Sequence, residues 1–128
     1  MDKKETAVKY KHSGFNCAQA VLAAFSDEMK IGEQDAKRLG AAFGSGMGGM
    51  EGTCGALCGA EIVLGMVKYT GAPIMKQARE LHAGFKAKCG ASICKDLKQI
   101  INGKPLCSCD DCVRNAAALT EEIIKNTI

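Results

Sequence analysis

The chain has 128 residues and a net charge of +3, with 47% apolar residues, only 5% aromatic ones and no tryptophan. A chain of this length forms one domain that buries roughly two-thirds of its unfolded surface, and its core must come from Ala, Leu, Ile, Val, Met and Cys. Basic residues are scattered and acidic ones interleave with them, without a long basic run or an aromatic platform, which excludes a dedicated nucleic-acid surface.

The first residues, Met1-Asp2-Lys3-Lys4-Glu5, lack the apolar segment of a secretory leader. The longest apolar stretch, 60–67, contains Glu61 and is too short to cross a bilayer. The expectation is a soluble cytoplasmic protein with no membrane insertion. Ala7, Val8 and Tyr10 among lysines predict a short first helix that stops at Gly14. Asn16, with Gln19 three residues on, forms a capping-box pattern that opens a second helix at Cys17. Its apolar side (Ala20, Val21, Ala24, Phe25, Met29) extends to residue 30, and Gly32 ends it.

A third helix covers 33–43, and a glycine-rich loop, 44–52, follows it. The loop has no Gly-Lys-Ser/Thr ending and no preceding strand, so it is not a phosphate-binding P-loop. Thr53 then caps a central helix running to about residue 69. Gly55 and Gly59, with Ala56 and Ala60, form small-residue rows on it that admit a close neighbour: a second helix, a cofactor or the same face of a homodimer partner. Pro73 opens a further helix whose apolar face includes His82, read as a core histidine, and Gly90 ends it. Ser92 caps a short helix to about residue 101, Asn102-Gly103-Lys104-Pro105 is a turn, and Ser108 caps the last helix. No stretch alternates with period two. The fold class is therefore all-α: a compact single-domain bundle over residues 1–128, of about six to seven helices and no sheet.

Eight cysteines are the anomaly of this composition. In a reducing compartment such a count points to metal ligation or redox chemistry rather than disulfide staples. The capping pattern puts Cys17, Cys54 and Cys109 at the first position of predicted helices, Cys94 at a second position, and Cys112 one turn after Cys109. A helix N-terminus favours an anion, so these positions favour the thiolate, the form that attacks disulfides and binds metals. Cys109-Asp110-Asp111-Cys112 has the spacing of a dithiol or metal grip, but no second such pair stands at zinc-ribbon spacing. Cys58 and Cys89 read equally as core fillers, Cys107 as a spare thiol. Glu61 falls near the face of Cys54 and Cys58, as a supporting acid or a boundary residue.

Gly14-Phe15-Asn16-Cys17-Ala18-Gln19-Ala20-Val21, then Cys54-Gly55-Ala56-Leu57-Cys58-Gly59, then Cys94 and Cys112, resemble the bacterial C-GCAxxG-C-C family, grouped as redox-active proteins. The resemblance spans about residues 8 to 120. It implies a small helical redox protein with Cys17, Cys54, Cys94 and Cys112 as the working thiols or metal ligands and Gly55, Ala56 and Gly59 as accompanying small residues. A related domain of split-Soret cytochromes, to which an iron–sulfur site is attributed, implies a cluster here, with Gly55 and Gly59 beside it. Three functions follow: electron transfer to an unidentified redox partner through a cysteine-ligated iron–sulfur cluster, cofactor-free thiol–disulfide chemistry by the same cysteines, or a zinc or other metal module without turnover. No particular enzymatic reaction is implied.

Overall fold

The computed structural model describes residues 2–126. In chain order it contains α1 (Lys3–His12), α2 (Cys17–Ala24), α3 (Ser26–Met29), α4 (Glu33–Gly40), α5 (Gly44–Met47), α6 (Gly55–Lys68), α7 (Met75–Cys89) and α8 (Cys94–Leu97). A hairpin of β1 (Ile100–Ile101) and β2 (Lys104–Pro105) precedes α9 (Cys109–Lys125). The fold is mostly helical, as composition and periodicity require, and α3, α5 and α8 are single turns beside the longer helices. Within α5, Ser45 and Gly46 hold left-handed backbone (φ 51° and 61°), so this segment is a tight loop rather than a helix.

The capping box at Asn16 is formed: its side chain accepts from the Gln19 N–H at 2.8 Å, and the Gln19 side chain accepts from the Asn16 N–H at 3.0 Å. Ser108 likewise accepts from the Asp111 N–H at 3.1 Å. Other expectations shift. The second helix does not run through to residue 30; it breaks at Phe25, whose ring is buried, and restarts as α3. The short helix after residue 92 stops at Leu97 instead of near 101. Residues 98–107 turn back as the β1–β2 hairpin, a small exception to the sheet-free expectation. Asn102 and Gly103 sit at its turn with φ 54° and 80°, as a tight type I′ connection needs. His82 is exposed, not in the core, because the buried side of α7 runs through Leu81, Phe85 and Cys89.

One hydrophobic cluster joins residues from α1, α2, α6, α7 and α9. Large side chains such as Phe25, Phe85, Leu57 and Leu64 are fully buried among many alanines. The alanines and glycines let backbones approach, as between α2 and α6. A Cβ on Gly59 would stand 2.8 Å from the Ala18 carbonyl oxygen, and one on Gly55 would stand 2.8 Å from the Phe43 oxygen and 3.3 Å from the Ala18 nitrogen. The small-residue rows of α6 are thus taken up by α2 within the chain. This packing carries Cys17, the neighbour of Ala18, to the start of α6. Helix α9 lies against α1, α6 and α7, which brings its own first turn to the same end of the bundle. None of the described helices is long and apolar enough to cross a membrane.

Candidate functional site

A pocket of about 150 Å³ opens at that end, lined by Cys17, Cys54, Cys94 and Cys109 together with Gly55, Gly46, Met50, Asn16, Lys11 and Lys98. Four chain segments meet there, and each presents its cysteine at the start of a helical element. Cys17 is the first residue of α2, Cys94 of α8 and Cys109 of α9, while Cys54 is the N-cap of α6. The cap thus falls one residue later than Thr53. Cys54 and Cys94 are buried; Cys17 and Cys109 are half-buried and form the wetter rim.

Backbone hydrogen bonds fix the approach of Cys54 and Cys94. The Cys54 N–H donates to the Ser92 carbonyl at 2.8 Å, and the Cys94 N–H donates to the Gly52 carbonyl at 3.0 Å. Thr53 and Ile93 form an antiparallel bridge between them. The glycine loop folds under this bridge: the Gly52 N–H donates to Gly46 at 3.1 Å and the Lys95 N–H to Met50 at 2.9 Å. Gly46 is obligatory here. A Cβ on it would lie 2.5 Å from the Cys94 Cβ, and its φ of +61° disfavours any side chain.

Hydrogen bonding divides the thiols into proton holders and thiolates. Cys109 is drawn down to about 5, first because the Cys17 thiol donates to it and then because Lys98 stands beside it, against the opposing effect of burial. Cys17 is correspondingly raised by that same hydrogen bond and by burial. Cys54 is lowered to about 7, chiefly by donation from Cys112, with help from the Ala56 and Leu57 backbone N–H groups and Lys98. No side-chain capping hydrogen bond is formed at Cys54, so those N–H groups act as aligned partial positive charges at the helix end. Burial, then the Cys54 thiolate, raises Cys94. Burial opposes the charge on Lys98, yet Cys112 and the thiolates of Cys109 and Cys54 outweigh it and hold the ammonium on.

Cys112 lies behind this ring rather than in its lining. It is fully buried among the thiols of Cys107, Cys54 and Cys89, which together with burial raise it strongly, and its S–H points at the Cys107 carbonyl at 3.9 Å. Its sulfur, with those of Cys89 and Cys107, makes a group whose members all lie within 4.8 Å of one another. Cys54 is therefore the link between a pocket ring and a deeper triad. Of the residues expected at the site, Cys17, Cys54, Cys94 and Gly55 line the pocket, Cys112 touches it through Cys54, and Gly59 packs on Ala18. Sequence reasoning about helix starts pointed to Cys109; the set drawn from the family resemblance left it out. Cys58 stands apart, its S–H directed at the Thr53 carbonyl at 3.7 Å and its thiol pushed up to about 11 by burial and by Cys54 and Glu61.

The pocket's donor set suits an iron–sulfur group, whereas the cysteine sulfurs close enough together for a single soft ion are those of Cys89, Cys107 and Cys112. Thiolates are the ligands of both, the space between the four segments is open, and Lys11, Lys98 and the N-termini of α2, α6 and α9 oppose accumulated negative charge. All eight cysteines are free, so none is committed to a disulfide. No curated protein and no solved structure matches the chain. Residues 15–123 match the family model described as "Putative redox-active protein (C_GCAxxG_C_C)". That match covers most of the chain, and the chain belongs to the C_GCAxxG_C_C family of redox-active proteins.

Proposed function

We propose that this protein is a cytoplasmic electron carrier in which Cys17, Cys54, Cys94 and Cys109 hold an iron–sulfur cluster in the pocket. The observation that carries this is the convergence of four cysteines, from four separate segments, on one cavity flanked by two lysines. When bound, such a cluster supplies one-electron chemistry at a potential set by charge, hydrogen bonds to its sulfurs and exposure. The chain's own part is to hold the ligand sulfurs at fixed positions, to oppose their charge with Lys11 and Lys98, and to keep the Cys54 and Cys94 side dry. The half-buried Cys17 and Cys109 form the edge from which a redox partner is reached. Cys112, in contact with Cys54, supports that ligand by hydrogen bonding.

Protein purified without oxygen is expected to be coloured and to contain iron and acid-labile sulfide. Colourless protein that takes up neither on anaerobic reconstitution would remove this function. One specific arrangement favours a second: Cys17 and Cys109 line the same pocket, with the Cys17 thiol raised and the Cys109 thiol lowered, which pairs a protonated thiol with a thiolate as a cofactor-free dithiol requires. Under it, mild oxidation converts the pair to a disulfide with loss of two hydrogens, read by mass spectrometry of the metal-free protein.

A further inference from the structure

Cys89, Cys107 and Cys112 lie outside the pocket lining but form a group of their own. Their sulfurs lie within 4.8 Å of one another, and the residues are only 3%, 7% and 0% exposed. They come from the end of α7, the segment after β2 and the first turn of α9. The chain invests structure in this meeting. The hairpin returns so that the Cys107 N–H donates to the Leu97 carbonyl at 3.0 Å. Asn115 Nδ2 donates to the Cys89 sulfur at 3.4 Å, and Lys98 Nζ to the Cys107 carbonyl at 3.4 Å. Cysteines that merely fill a core need neither one another nor a donor aimed at sulfur.

We propose that Cys89, Cys107 and Cys112 form a second metal site, separate from the pocket, that binds copper(I) through three thiolates. Three sulfurs about 4.0 Å apart surround an ion at the metal–sulfur distance of about 2.3 Å, which small side-chain adjustments reach from the observed group. Soft thiolates select copper(I), zinc or iron–sulfur groups. Structural zinc sites close with four ligands, and among the described residues no fourth His, Cys, Asp or Glu joins this group within the same distance. Three buried sulfurs suit an ion that accepts three-coordination. Binding forms three copper–sulfur bonds, each protonated thiol releases its proton to solvent, and no electron is transferred. Asn115 and Lys98 offset the resulting negative charge. This site shares no ligand with the cluster in the pocket, and on binding copper(I) Cys112 gives up the proton it otherwise offers to Cys54.

The test uses reduced, metal-free, full-length protein labelled with ¹³Cβ-cysteine and titrated anaerobically with copper(I) against a copper(I) chelator. The first equivalent is expected to move the Cβ resonances of Cys89, Cys107 and Cys112 while Cys17 and Cys109 stay in place. X-ray absorption of that complex is expected to show three sulfurs around copper. Cys107→Ser should weaken binding by more than the roughly 10–100-fold that loss of an outer-shell partner costs, and Cys58→Ser should leave it unchanged. Absence of binding, first shifts at Cys17 or Cys109, or a four-sulfur shell that includes Cys54 would overturn the proposal. The wild-type resonances decide the matter even if Cys107→Ser fails to fold, and the outcome does not depend on whether the pocket holds iron.

Discussion

The backbone N–H of Cys54 donates to the carbonyl of Ser92 at 2.8 Å, so the cap of α6 is tied to the turn that opens α8. This bond and its return partner, Cys94 N–H to Gly52, place two pocket cysteines side by side without a helix–helix contact. The whole arrangement rests on the space left at Gly46. Gly46→Ala puts a methyl 2.5 Å from the Cys94 Cβ at a left-handed φ. It is expected to destabilise the fold by roughly 2–4 kcal/mol, combining overpacking with backbone strain. Gly48→Ala, at φ +89° but with open space around it, should lose only about 1–2 kcal/mol. Denaturant unfolding of the two variants gives the comparison.

Packing and site roles separate at Gly59. Gly59→Ala drives a methyl to 2.8 Å from the Ala18 carbonyl and is expected to cost about 1–3 kcal/mol by overpacking. Since Gly59 does not line the pocket, the pH profile of Cys109 alkylation should match that of wild type. A lowered melting temperature with an unchanged profile is the expected pair of results.

Cys109 is the thiolate of the rim. In the metal-free protein its alkylation, followed by peptide mass mapping, should titrate with a midpoint near the lowered value of about 5. Cys17→Ala removes the donor that holds it down, and Lys98→Met removes the adjacent cation. Both variants should move the midpoint upward, Cys17→Ala the more.

Glu61 carries a pH dependence of its own. Burial raises its carboxyl from the ordinary value of 4.5 to about 7, and its Oε1 is buried without a partner. The folded state therefore binds more protons than the unfolded one between those values, and stability falls as pH rises through that window. Glu61 is half-buried, so solvent screening reduces the effect to roughly 1–2 kcal/mol. Glu61→Gln should stabilise the protein by about that amount at pH 8 and by close to nothing at pH 4, as unfolding curves at the two pH values would show.

The helical framework was legible because its signals are local. Asn16 with Gln19 and Ser108 ahead of Asp111 form the expected caps, and Gly90 ends α7 in a left-handed conformation. The site was legible only in part. Helix-start logic singles out Cys17, Cys54, Cys94 and Cys109 and sets Cys112 one turn into the last helix, because a cap pattern is written in neighbouring residues. It does not reveal the burial of Cys112 among Cys54, Cys89 and Cys107, which come from distant segments. His82 was misplaced because helical spacing cannot fix the edge of a buried face to within one residue. The hairpin after α8 was missed because two-residue strands are too short for alternation to appear, although its Asn-Gly turn was visible.

Cys109 belongs to the proposed ligand ring and Cys58 does not. Iron and acid-labile sulfide, measured in anaerobically purified wild type, Cys109→Ser and Cys58→Ser, decide this. The prediction is iron and sulfide in wild type, the same content in Cys58→Ser, and loss or marked instability of both in a folded Cys109→Ser. Wild type with neither iron nor sulfide, or a folded Cys109→Ser that retains the full content of both, would contradict it.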